Sequence, residues 1–248
     1  MPKRSLMVWI LSVACTCGDV RAIVWEKGAE PEESHTGEMR RVGKLMYSPF
    51  KVVGGTCVAI GDKWVLTSRH GVRDWEKDSL TVSLPGLGKG GYSVKRIHFP
   101  EKGDLALLEL SGKIGGFGKA GDAQLVSGAN PVGVKVWLGG YGMSGPVGNV
   151  SLPGRFYSGY NRGDKERKGK WSISMSKPGQ GENPEVTISA CDSGSPLFVE
   201  HDGEWVLCGI ASTASNSRNP GVGDRGSYAK VGPAVEWIKR VMRGQVDE

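Results

Sequence analysis

The chain has 248 residues, 38% of them hydrophobic and 23% charged, with 39 Gly, 13 Pro and a formal net charge of +6. This length suffices for a full core in one large domain or two small ones, and no apolar run approaches the roughly 18 residues that span a bilayer. The glycines and prolines are scattered between short apolar segments rather than gathered in a tail, which excludes a disordered chain and points to many tight turns in an all-β protein.

In chain order, the first residues read as a targeting segment. Lys3 and Arg4 form a basic start, Leu6 to Ala14 an apolar stretch too short to span, and Val20-Arg21-Ala22 the small residues that precede a cut. Cleavage after Ala22 and export, secreted or periplasmic, are the expectation for residues 1–22. A lipoprotein reading with acylation at Cys15 is the alternative, but Ser12 stands where an aliphatic residue is usual. Loss of Lys3, Arg4, Arg21 and Asp19 takes the formal charge from +6 to +4.

Short β-type runs follow: "KLMYSPFKVV", "GTCVAI", "KWVLTS", "LTVSL", "YSVKRIHF", "DLALLEL", "VGVKVWLGGYG", "WSISMS", "EVTISA", "SPLFVE" and "EWVLCGIAS". Gly, Pro or charged turns separate them, and no helical period lies between, so the pattern is that of antiparallel sandwich or barrel architecture. The strand-poor stretch Ser111 to Pro131 reads as the connection between two β halves. "NRGDKERKGK" (Asn161 to Lys170) mixes acids and glycines among its bases and lacks aromatics at stacking intervals. It reads as a solvated loop rather than a nucleic-acid patch. At the end, "GPAVEWIKRVM" sets Val235, Ile238 and Val241, with Trp237, on one face of a terminal amphipathic helix behind Pro233.

The chemistry-bearing residues are separated in the sequence. His70 closes the apolar run "KWVLTSRHGV", Asp104 opens the apolar run "GDLALLEL", and Ser193 lies in "ISACDSGSPLF", between small residues and directly after Asp192. Alone, each has a bland explanation: a structural histidine, a turn-capping acid, a serine on a turn. Together, His then Asp then a serine in Asp-Ser-Gly-x-Pro is one of the orders in which a Ser-His-Asp triad occurs. A serine hydroxyl needs an imidazole to take its proton, and the imidazole needs a carboxylate to fix its tautomer. Once Cys15 and Cys17 leave, the cysteines are Cys57, Cys191 and Cys208, an odd set without a disulfide framework. Cys57 and Cys208 sit in apolar runs as small buried hydrophobes. His35, His70, His98 and His201 show no ligand spacing, so neither a metal nor a cofactor is expected.

On these segments the chain resembles the trypsin/chymotrypsin-type serine proteases. "WVLTSRHG", "DLALLEL" and "DSGSPLF" resemble the segments that carry the family's His, Asp and Ser. "GGYGMSG", "GIAST" and "RGSYAKV" with the Trp237-bearing helix follow in the family's order, over roughly Ile23 to Val241. The resemblance implies two packed six-stranded antiparallel Greek-key β-barrels with a C-terminal helix and a site in the cleft between them. The implied division is a barrel over 23–118, a second over 119–231 and a helix with tail over 232–248. It further implies Ser193 as nucleophile, His70 as general base, Asp104 as orienting acid and Ser212 as a hydrogen-bonding support. The backbone N–H groups of Cys191 and Ser193 would form the oxyanion hole, and Thr187, Ala214 and Gly226 the substrate pocket, without an acid for basic side chains. The implied partner is a protein or peptide substrate cleaved by a monomer; the alternative is a catalytically silent homologue used as a binding module.

Three departures from the family pattern stand out. Cys191 occupies a glycine position, Gly71 replaces a half-cystine after the histidine, and Arg69 replaces a small residue before it. Arg69, read as part of a strand, should point away from His70 as a rim charge. Cleavage after Ala22 would also leave Ile23-Val24 as an activated-type N-terminus, with its ammonium beside Asp192.

Overall fold

The computed structural model describes residues 23–245 apart from 32, 34, 49–51, 89, 118–122, 148–153, 178, 183 and 217–219. The targeting segment expected over 1–22, and the expected boundary between the β halves, lie outside the described residues.

Strands β2 (Val42–Tyr47), β3 (Val52–Gly61), β4 (Trp64–Thr67), β5 (Leu80–Ser83), β6 (Gly91–His98) and β7 (Ala106–Leu110) close one antiparallel barrel in the order β2-β3-β4-β7-β6-β5. Strands β8 (Lys135–Gly140), β10 (Tyr157–Arg167), β11 (Lys170–Ser174), β13 (Pro196–His201), β14 (Glu204–Ala214) and β15 (Arg225–Lys230) close a second, in the order β10-β11-β15-β14-β13-β8. A small third sheet joins β1 (Val24–Trp25) to β12 (Val186–Thr187) and, in parallel, to β9 (Gly145–Pro146). The expected all-β double barrel is the fold.

Several strands are apolar on both faces, and the packing explains why. Along a strand, alternate side chains point to opposite faces. In β4, Val65 fills the first barrel, while Trp64 and Leu66 face the seam between the barrels. Likewise, β14 sends Val206 and Cys208 into the second barrel and Leu207 into the seam. The C-terminal helix α2 (Val235–Met242) adds Val235, Ile238 and Val241 to that seam, with Trp237 packed at its edge.

Three local readings change. "KLMYSPFKVV" folds as two paired strands, β2 and β3, rather than one. His70 does not end a strand: β4 stops at Thr67, and His70 lies on a four-residue helical turn, α1 (Arg69–Val72). Asn161 to Lys170 is not a loop. It is the outer end of the β10–β11 hairpin, with Arg167 opposite Lys170 and positive φ at Lys168 and Gly169 in the turn. Its charges stand on strands exposed on both faces, which erases the hydrophobic alternation that marks a half-buried strand.

Candidate active site

Ser193, His70 and Asp104 come from opposite walls of the inter-barrel cleft and meet in one chain of hydrogen bonds. His70 Nε2 lies 2.7 Å from Ser193 Oγ, and Nδ1 lies 2.7 Å from Asp104 Oδ2. The backbone N–H of His70 donates to Asp104 Oδ1 at 2.9 Å, so one residue grips both carboxylate oxygens. Ser212 Oγ donates to Asp104 Oδ2, and Lys170 Nζ donates to Ser212 Oγ at 2.8 Å. Burial pushes the Asp104 carboxyl up, but the bonds from the His70 ring, Ser212 and the His70 N–H outweigh it and hold the group at about 2. Asp104 is therefore ionised at neutral pH and available to orient the ring and stabilise an imidazolium.

The helical turn that carries His70 is braced from β2. Tyr47 Oη donates to the Gly71 carbonyl at 2.7 Å, holding by a hydrogen bond a turn whose disulfide partner position is filled by Gly71. Arg69 is on this turn rather than on a strand, yet it does point away from the cleft. Its guanidinium donates to the Pro100 carbonyl at 3.2 Å and sits 5.0 Å from the Phe99 ring centre.

The serine turn is fixed by both barrels. Thr56 N–H on β3 donates to the Ser193 carbonyl at 2.9 Å, and Gly194 N–H donates to Ala211 O at 3.0 Å. A Cβ at Gly194 would lie 1.9 Å from Thr56 O and 2.2 Å from Thr67 Oγ1, so only glycine fits between the barrels there. Cys191 adopts φ +63°, the left-handed conformation its position requires, which costs a non-glycine residue about 1–2 kcal/mol.

Beneath this turn Asp192 is fully buried. Its carboxylate accepts from Ser189 N–H at 3.2 Å, Gly142 N–H at 3.3 Å and Ser195 Oγ at 3.3 Å. Burial raises this carboxyl to about 7, against the pull of those three donors. A Cβ on Gly140 would come within 2.1 Å of Asp192 Oδ1, so the glycine leaves the room in which this carboxylate is buried. Ile23 and Val24 are also completely buried, and Val24 pairs with Thr187 and Gly145. These partners lie two and three residues from Ser189 and Gly142, the backbone donors to Asp192.

A cavity of about 320 Å³ opens beside Ser193, walled by Ile188 to Cys191 on one side and Ala211 to Ala214 on the other. Ala214 is among the residues that line it, while Thr187 and Gly226 are not. Thr187 is committed to β12, where it pairs with Val24 and is buried. A Cβ at Gly226 would stand 2.7 Å from Ile188 Cγ1, which places Gly226 behind the Ile188 side chain. Ile188, the next residue along, lines the cavity instead, in keeping with the alternation of side chains along an extended segment. Ser189, whose buried hydroxyl has no hydrogen-bond partner among the described residues, also lines the cavity.

Lys170, Tyr47, Ile188 and Ser189 escape a reading of the sequence. Lys170 hides in a charged run, and only the neighbouring of β11, β15 and β14 brings it to Ser212, 42 residues away. The missing half-cystine at Gly71 was the one signal that another brace is needed there. The remaining cysteines, Cys57 and Cys208, are buried inside the first and second barrels, and burial raises both thiols well above their ordinary value.

The two closed barrels agree with the result of comparing the chain with protein families. The family model described as Trypsin matches residues 32–238, so the chain belongs to the trypsin family of serine proteases.

Proposed function

We propose that this chain is an exported serine endopeptidase acting through Ser193, His70 and Asp104 and an acyl-enzyme intermediate. The observation that carries the reading is the unbroken relay from Ser193 Oγ through both ring nitrogens of His70 to Asp104, at 2.7 Å on each side. In this reading His70 Nε2 takes the Ser193 proton as Oγ attacks the scissile carbonyl, and Asp104 stabilises the resulting imidazolium. The oxyanion that forms is met by the N–H groups of Cys191 and Ser193. His70 then returns the proton to the leaving amine, and water, activated by the same ring, releases the acyl group.

The pocket favours an uncharged side chain of small to medium size. Ile188 and Ala214 narrow it, and among the described residues no acid lines it to receive Arg or Lys. The proposal extends to the N-terminus. Removal of residues 1–22 would convert the Ile23 amide into an ammonium, the cation for which the buried Asp192 carboxylate is the natural partner.

Labelling with a fluorophosphonate probe tests the reading. The folded protein should be labelled at Ser193, and Ser193→Ala should abolish labelling and lower kcat/KM by roughly 10⁴-fold or more. A folded protein that shows no labelling would instead be a catalytically silent binding module built on the same barrels.

A further inference from the structure

Among the described residues, Lys170 forms no ion pair with a carboxylate; its ammonium donates to the Ser212 hydroxyl at 2.8 Å. That is unusual for a lysine on an exposed hairpin, which gives up side-chain freedom for a neutral partner while water is at hand. Nearby cations are engaged elsewhere. Lys230 pairs with Glu166 at 2.5 Å and lies over the Trp171 ring, and Arg69 is turned to Pro100 and Phe99. On β15 the residue paired with Lys170 is the small Ala229.

The donor logic of this contact has one solution. An ammonium has three donors and no acceptor, whereas a serine hydroxyl has one donor and two lone pairs. Ser212 Oγ must therefore accept from Lys170 and direct its own proton to Asp104 Oδ2. The same Oδ2 receives His70 Nδ1. We infer that Lys170 is a positioning residue, which through Ser212 fixes the Asp104 carboxylate that in turn holds the His70 ring.

This deepens the peptidase reading and rests on it for its catalytic meaning. Lys170 keeps the Ser212 proton on Asp104 Oδ2, so that the carboxylate stays aimed at His70 Nδ1.

The experiment follows the His70 Nδ1–H proton by NMR in the full chain, alongside kcat and KM on one peptide substrate. Lys170→Met and Lys170→Arg are compared, each with Ser212 and with Ser212→Ala. Lys170→Met should move the His70 Nδ1–H resonance and lower kcat by roughly 3- to 10-fold with KM unchanged. Lys170→Arg, which keeps a donor for Ser212 Oγ, should restore both. With Ser212→Ala the link to Asp104 is gone, so Lys170→Met should add no further change. An unmoved resonance in Lys170→Met, or an equal change in both backgrounds, overturns the inference. So does an effect confined to KM for peptides with acidic residues, which would assign Lys170 to the substrate. The resonance is read whether or not the protein turns over. A wild-type chain that cleaves nothing but shows the resonance change retires the peptidase reading and leaves the role of Lys170 standing.

Discussion

Asp104 and Asp192 are two aspartates of one site, each accepting three hydrogen bonds, and they are driven in opposite directions. Asp104 is held at about 2 and Asp192 raised to about 7. Counting bonds does not separate them. Asp104 is partly open to the cleft, its bonds are the shorter, and one donor is an imidazole that can itself take a charge. Asp192 is sealed, its donors stand 3.2–3.3 Å away, and none of them can carry charge. The comparison teaches that solvent access and an ionisable partner decide whether a carboxylate stays charged. The first aspartate keeps its charge with its neighbours as given, while the second, with no charged neighbour among its donors, is pushed towards its neutral form.

The largest test of that difference removes each charge in turn. Asp104→Asn leaves the His70 ring in the wrong tautomer and should cost about 10⁴-fold in kcat. Asp192→Asn, in a chain that starts at Ile23, should cost about 10²–10³-fold, the price of a loosened oxyanion turn rather than a lost relay. Equal losses, measured side by side on one peptide substrate, would mean that the two carboxylates are not doing different work.

Next comes stability against pH. Folding favours the protonated form of Asp192, because its folded-state value of about 7 lies above the ordinary 3.8. That contribution is complete below about pH 4 and is lost as pH rises through about 7, a few kcal/mol in all. A chain carrying residues ahead of Ile23 should therefore lose urea resistance between pH 4 and pH 8, and Asp192→Asn should abolish the loss. A chain that begins at Ile23 should be spared most of it, since its ammonium would compensate the charge. Superimposable urea curves for the long and short chains would rule out the pairing. For Asp104 the sign is reversed: its contribution is present above about pH 4 and lost as pH falls towards about 2.

The smallest effect concerns the turn that links the two aspartates' domains of influence. Cys191→Gly removes the left-handed strain and should raise stability by about 1 kcal/mol with labelling of Ser193 intact. A thermal melt of the purified variant reads this directly, and a fall in midpoint would show that the thiol makes a contact worth more than the strain.

Much of this molecule could be read from its letters where chemistry and pattern coincide. The all-β class follows from short strands between turns, the double barrel follows from the family resemblance, and His70, Asp104 and Ser193 sit in the segments that carry that resemblance. What escaped reading depends on contacts between distant strands or on a change of element. The β10–β11 hairpin has no alternation at its exposed end, so charge disguised a strand as a loop. His70 lies on a turn too short for any helical period to show. The resemblance pointed to Thr187, which is buried and paired with Val24, while Ile188 and Ser189 line the cavity.

The bond from Thr56 N–H to the Ser193 carbonyl has a consequence for how the protein is made. The serine turn is anchored on a strand of the opposite barrel, so neither barrel alone can hold the reactive geometry. Chains fold as they emerge, N-terminal part first. The half bearing His70 and Asp104 can therefore be complete while Ser193 is still unplaced. In the proposed peptidase, reactivity would arrive with the last docking event, and a half-made chain would have no poised hydroxyl with which to damage its neighbours.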